Sequence, residues 1–252
     1  METFKGFLDI STGLSPEVIS SLIVMGILMI LSFIIAIQAH FQDPLKKPKG
    51  LLFLAEVGVT FFDGLVSDMM GPRFKGFGGY IMAVAVYLFI SFIFGLTGLP
   101  SPVTNLAVPL SLALCTFVMI HATSVKYTKF KYFKRFVDPI PIFLPVNLVS
   151  MWAPLLSMSL RLFGNAISGF CLMTIVYHFL GKLSGLIFGF LEPAIGEWNT
   201  IFIAPIITPV LHAYFDLFSG LIQTTIFIFL TMINISLEAP EDDIEEIAME
   251  RR

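Results

Sequence analysis

Charged residues are sparse along this chain, and the gaps between them have lengths that matter. Residues 18–40 open with an uncharged, mostly apolar run from Val18 to Ile37, bounded by Pro16 before it and by Gln38, His40, Asp43 and Pro44 after it. Residues 79–99 form a second run, which stops at Pro100-Ser101-Pro102, and residues 104–125 form a third. A helix needs ~20 apolar residues to cross the ~30 Å hydrocarbon core of a bilayer, so each run predicts one span. Two longer stretches follow, 139–180 and 201–237. A helix of about 40 residues is about 60 Å long at ~1.5 Å rise per residue, twice the thickness of that core. Each stretch is therefore two spans or one steeply tilted helix, and the pattern leaves both open.

The segment 51–70 has a different pattern. Glu56, Thr60, Asp63 and Ser67 recur at +4, +3 and +4, on one helical face, with Leu52, Val59, Phe62, Val66 and Met69 around the rest. This predicts an amphipathic helix lying in the membrane interface; a slightly polar spanning helix is the alternative. The expected fold is thus an all-α polytopic membrane protein. It has about five membrane helices, two of them long and steeply tilted, plus one interfacial helix. The whole chain, 1–252, reads as a single integral membrane domain.

Composition agrees. Hydrophobic residues make up 56% of the chain and charged residues 13%, against roughly 25% charged in soluble domains. No basic stripe interleaves with aromatics, so nucleic acid is not an expected partner; the lipid bilayer is. Cys115 and Cys171 sit in apolar runs and read as small buried hydrophobes rather than a disulfide or metal framework. The first run is too long for a signal-peptide core, and no basic cluster precedes it.

Lys and Arg in short loops set orientation. Lys46, Lys47 and Lys49 follow the first span, Arg73 and Lys75 precede the second, and Lys126, Lys129, Lys131, Lys134 and Arg135 follow the third. With 51–70 kept at the surface, all of these fall on one side, which is cytoplasmic. Segment 1–17 is then external. The acidic tail 238–252 is cytoplasmic whether the long stretches are both single helices or both hairpins.

One strong base lies deep in apolar sequence. Arg161 sits within Ser157-Met158-Ser159-Leu160-Arg161-Leu162-Phe163-Gly164-Asn165. An Arg at the bilayer centre costs about +2.5–3.5 kcal/mol on insertion scales, so it must face a partner or a water-filled cavity. Ser150, Pro154, Ser157, Arg161, Asn165 and Ser168 recur at +4, +3, +4, +4 and +3, one polar stripe on a helix. The alternative is an Arg snorkelling at a hairpin turn made by Gly164-Asn165. The last long stretch has a matching stripe, Thr208, His212, Asp216, Ser219 and Gln223, at +4, +4, +3 and +4. An acid, an imidazole and an amide on one face inside a membrane suggest an ion path. A stripe of hydroxyls and His also serves as interhelical glue, and Arg161 with Asp216 would make a plain structural ion pair.

At these residues the sequence resembles a known family. The core Ser-Leu-Arg-Leu-Phe-Gly-Asn, residues 159–165, closely resembles the signature of F-type ATP synthase subunit a. Gly95-Leu96-Thr97-Gly98-Leu99-Pro100 is similar to that family's Asn-Leu-x-Gly-Leu-x-Pro, with Gly95 where Asn is usual. Pro102-Val103-Thr104-Asn105-Leu106 followed by Leu110–Leu114 is similar to the next segment. Phe215-Asp216-Leu217-Phe218 and Gly220-Leu221-Ile222-Gln223 resemble the end of its last helix. The resemblance covers roughly residues 51–237. It departs in three places. Many members carry a carboxylate or His five residues after the motif Asn, where this chain has Phe170. They often carry a complementary acid or His seven residues before the Gln, which here is Asp216. Acids that commonly follow the Pro-x-Asn segment are missing after Pro145-Val146-Asn147, replaced by Leu148-Val149-Ser150-Met151.

The resemblance implies two long tilted helices against a rotating ring of c subunits, with peripheral-stalk b subunits as further partners. The setting would be a bacterial cell membrane. Arg161 would face the ring's carboxylates between two offset half-channels for H⁺ or Na⁺. Asp216, Asn165, Gln223 and His212 would serve the path, with Ser157, Ser168, Ser219, Glu192 and Glu197 as further lining. The chain would be non-catalytic, without cofactor or metal; it has no phosphate-cradling Gly-Lys motif of the P-loop kind. The rival from another class is a secondary transporter that uses Arg161 to bind an anionic substrate. It predicts an inverted repeat with broken helices, which the sequence does not display. A structural scaffold is the third option, in which removing Arg161 leaves activity intact.

Overall fold

The computed structural model describes residues 15–43, 47–129, 142, 144–189 and 201–239. Its long helices are α1 Pro16–Phe41, α2 Leu51–Met70, α3 Gly78–Ile93, α4 Ala107–Thr128, α5 Leu144–Phe188 and α6 Ala204–Ser236. All but α2 are long and apolar enough to cross a membrane, with α3 extended by the 3₁₀ turn Phe94–Thr97. The all-α, five-span architecture is the one the apolar runs call for. The third run starts later than its composition suggests, because Pro102–Thr104 forms its own short turn before α4 begins at Ala107. In α2 the four polar residues Glu56, Thr60, Asp63 and Ser67 are all exposed. Val66 and Met70 are buried, and Phe62, Leu65 and Met69 pack against the core.

The alternatives for the first long stretch resolve to a single helix. α5 runs unbroken for 45 residues, about 68 Å at ~1.5 Å per residue. Gly164 and Asn165 are helix interior, so no hairpin turn forms beside Arg161. The helix also continues past residue 180. Lys182 is exposed, and a long aliphatic stem lets such a charge reach outward without ending an apolar helix. The second long stretch is likewise continuous from Ala204 to Ser236. It contains one irregularity, a π-helical turn over Ala213–Phe218. There the Ser219 N–H donates to the carbonyl of Tyr214, five residues back rather than four.

Lipid tails are as apolar as leucine, so helix association in a bilayer relies on close van der Waals packing, small residues and buried hydroxyls. The core of α3, α4 and α6 follows that rule. Ser91, Thr116, Ser124, Thr224 and Thr231 are buried among Leu88, Phe92, Phe227 and Met232, and the Thr116 and Thr231 hydroxyls lie 3.4 Å apart. Gly220 is where α6 crosses α3: a Cβ there would stand 2.7 Å from Cβ of Phe92, so any larger residue forces the helices apart. The inner face of α5, with Leu155, Met158 and Leu162, joins the same core. Its outer face exposes Leu156, Leu160, Phe170, Ile175 and Phe179. Cys115 and Cys171 are free thiols and are exposed, not buried as their apolar surroundings suggest. In a membrane the outside of a protein is apolar too, so an apolar run does not single out its interior residues.

Candidate functional site

Arg161 lies on the exposed side of α5, between Ser157, exposed one turn before it, and Ser168, exposed two turns after it. Flanking residues Leu156 and Leu160 are also exposed. Its guanidinium makes no hydrogen bond or ion pair with any described residue. Asp216, the acid with which it would form a structural pair, bonds elsewhere. A permanently charged fork of five donors is therefore exposed on α5, within a stripe of serines flanked by leucines.

Along α5 beyond Arg161, α5 and α6 border an open cavity of about 440 Å³ with the turn that joins α3 to α4. Gly98 shapes its rim with φ of 81°, a left-handed conformation that costs glycine little. Three polar side chains form a chain along its wall. Tyr177 Oη lies 2.8 Å from His212 Nε2, and His212 Nδ1 lies 2.5 Å from Asp216 Oδ2. When Asp216 is ionised it can only accept, so Nδ1–H donates to it. A neutral imidazole then accepts at Nε2 from the Tyr177 hydroxyl. The polarity runs one way, phenol to imidazole to carboxylate, and a proton arriving at Asp216 reverses it. The π-helical turn contains Asp216 and follows directly on His212; such turns inside α-helices frequently occur at functional sites.

Asn165 also lines the cavity, and its Nδ2 donates to Ser219 Oγ at 2.8 Å. The Ser219 hydroxyl also lies 3.1 Å from Asn165 Oδ1. Asn165 is one helical turn, about 6 Å of axis, from Arg161. The polar side chains of the cavity thus come within one helical turn of Arg161 in sequence. A sequence profile for the family described as ATP synthase A chain matches residues 18–236.

The chain belongs to the ATP synthase A chain family.

Individual relatives agree. ATP synthase subunit a of Mycoplasma genitalium is 29% identical over 227 residues, covering 86% of this chain and 77% of that one. The Mycoplasma pneumoniae protein of the same name is 29% identical over 265 aligned residues, covering 94% and 88%. A relative named as sodium ion specific, ATP synthase subunit a of Propionigenium modestum, is 29% identical over 193 residues, covering 69% and 58%. As a member of the family the chain is a multi-pass membrane protein. It belongs to the membrane sector of an ATP synthase, takes part in ion transport for ATP synthesis and works among partner subunits.

Within this family member, the structure brings together four of the residues singled out by sequence, Asn165, His212, Asp216 and Ser219. It separates others. Gln223 is buried, 7% exposed, and lies outside the cavity lining. Ser168 is exposed and turned back on its own helix, donating to the Asn165 carbonyl at 3.0 Å. Glu192 and Glu197 lie outside the described residues. Tyr177 and Glu17 are among the cavity residues not singled out by sequence. Tyr177 had a signal: Phe170, Thr174 and Tyr177 recur at +4 and +3, and all three line the cavity. Glu17 also lines it, yet in sequence it stands just before the first apolar run, in the segment read as external.

Proposed function

We propose that this chain is the stator ion-channel subunit of a rotary F-type ATP synthase, moving H⁺ or Na⁺ onto and off the carboxylates of a c-subunit ring. The observation that carries this reading is Arg161, exposed on α5 without a partner among the described residues and one turn from the cavity that holds Asp216. An isolated cation there requires an external anion to offset its insertion cost. A ring carboxylate moving past supplies one. Arg161 cannot give up its proton, so it favours the ionised carboxylate and expels the bound ion. The vacated carboxylate is recharged through the cavity, by way of Tyr177, His212 and Asp216. Ser157 and Ser150, exposed on the opposite side of Arg161, begin the second half-channel. Arg161 stands between the two and stops direct leakage. Each charge crossing contributes about 2.3 kcal/mol per 100 mV, so several ions are needed per ATP. The bond chemistry of ATP belongs to other subunits, and peripheral-stalk b subunits hold this one still. Nothing in the fold or among the relatives supports the transporter reading.

Crosslinking tests the ring contact. Gly164 lies three residues after Arg161, and a Cβ there meets nothing within 4 Å. Gly164→Cys and Ser157→Cys are expected to form disulfides with a cysteine placed on the ring's ion-site helix. Crosslinks found at both positions only within this subunit would count against the arrangement.

The basic loops set the orientation, N-terminus outside and C-terminus cytoplasmic. Lys126 is exposed at the end of α4. In a Cys115→Ala/Cys171→Ala background, Lys126→Cys in sealed vesicles should react with an impermeant thiol reagent from the cytoplasmic face alone. Reaction only from the outer face reverses the topology.

A further inference from the structure

The cavity that holds Asp216 holds a second acid, and that acid arrives from a different helix. Glu17 is the second residue of α1; it is half-buried, lines the cavity, and makes no hydrogen bond or ion pair with any described residue. It is not free to leave. Two residues before it, Ser15 Oγ accepts from Asn105 Nδ2 at 2.9 Å. Four residues after it, Ser21 and Tyr87 share a buried hydrogen bond of 2.7 Å. The first turn of α1 is thus pinned on both sides against α3 and the turn Pro102–Thr104, with a carboxylate that has no partner among the described residues held at the cavity wall. A glutamate with only a solvating role would need neither the anchoring nor the cavity.

Phe170 lines the same cavity and is 61% exposed. It stands five residues after Asn165, where many members of the family that the sequence resembles carry a carboxylate or His. We propose that Glu17 is the outer carboxylate of the ion path in this chain, supplying from α1 the charge that Phe170 does not supply from α5. Glu17 collects a cation from the outer water. For a proton, the carboxyl O–H bond of Glu17 breaks as water in the cavity accepts the proton and passes one on to the carboxylate of Asp216, and Glu17 is left ionised for the next. This inference rests on the ion-channel reading above. It adds that the path begins on a helix that contributes nothing to the Arg161 motif.

The test uses the complete ATP synthase reconstituted in vesicles, with rates normalised to assembled complex. Glu17→Gln should lower gradient-driven ATP synthesis about tenfold, the low end of the cation enrichment that a charged cleft provides. Glu17→Asp should retain most of the parental rate. Two rescues separate charge from structure. The first is Glu17→Gln/Phe170→Glu, which returns the carboxylate to the cavity from α5. The second is Glu17→Cys in a cysteine-free background, modified with an anionic methanethiosulfonate and compared with a neutral one. Recovery by the Phe170→Glu route or by the anionic reagent alone supports the proposal. A parental rate in Glu17→Gln overturns it, as does a low rate that neither route restores. Arg161→Ala is measured alongside. If that variant still couples, the ion-channel reading itself fails; if it does not couple while Glu17→Gln is normal, only the role of Glu17 fails.

Discussion

Arg161→Ala complexes that assemble are expected to lose ion-driven ATP synthesis while passive ion leak persists or rises. The two effects have separate causes. A cation beside a carboxylate lowers its pKa by about 1–3 units, and each unit is a tenfold change in the ionised fraction. Removing the guanidinium therefore slows release from the ring by about 10- to 1000-fold, and synthesis falls with it. The same change removes the barrier between the two halves of the path, so ions cross without turning the ring. Lysine restores the barrier in part but not the function. Its ammonium is a compact point charge that sheds its proton when buried, whereas the planar fork of arginine stays charged. A merely structural Arg161 predicts the opposite pattern, lost assembly and no leak from whatever complex remains. The measurements are ATP synthesis and passive H⁺ or Na⁺ uptake in reconstituted vesicles. Assembled Arg161→Ala complex with ordinary coupled synthesis would falsify the mechanism.

Asp216→Asn should produce the second-largest effect. The amide keeps the size of the carboxylate and can still meet His212, so the fold of α6 is not at risk. What it cannot do is take up and release a proton or balance a cation. Loss of a positioned proton-transfer group costs on the order of 100-fold or more, and gradient-driven synthesis should fall by that order while assembly is maintained. Asp216→Glu should be tolerated better, since the cavity wall has room for a longer side chain and the charge survives. Near-parental coupled transport in Asp216→Asn would move the path elsewhere, toward Glu192 or Glu197.

The parts of this molecule that were plain in sequence are those where a bilayer makes polarity costly. Arg161 stands out because a charge among some twenty apolar neighbours has few structural explanations. The stripes through Asn165 and Asp216 stand out for the same reason. Length alone could not decide whether residues 139–180 fold as one helix or two, because a tilted rod and a hairpin fill the same slab. Packing along the inner face of α5, at Leu155, Met158 and Leu162, accompanies the single helix. Tyr177 was half legible, since a phenol at the end of a +4, +3 series carries a periodic signal that aromatic hydrophobicity obscures. Glu17 was not legible at all. Its place in the lining of the cavity that holds Asp216 depends on α1 meeting the Pro102–Thr104 turn, a contact between segments about 90 residues apart, and no local pattern encodes it. Cys115 and Cys171 are exposed where apolar sequence suggests burial, because hydropathy does not distinguish a core from a lipid-facing surface.

The π-helical turn at Ala213–Phe218 also acts as a phase shifter. A π turn holds one residue more than the α-helical ladder needs, and one residue is about 100° of rotation. Upstream of it, His212 faces the cavity; downstream, Gly220 and Gln223 face the packed core. The surplus residue lets one continuous helix serve both orientations at once. It also makes this the one stretch of α6 where a single residue can be lost with the backbone ladder still closing as regular α-helix. Such a deletion would swing His212 and Thr208 around the axis relative to Gly220. A sequence can thus re-aim the cavity-facing side of α6 by a length change of one, leaving every side chain chemically intact.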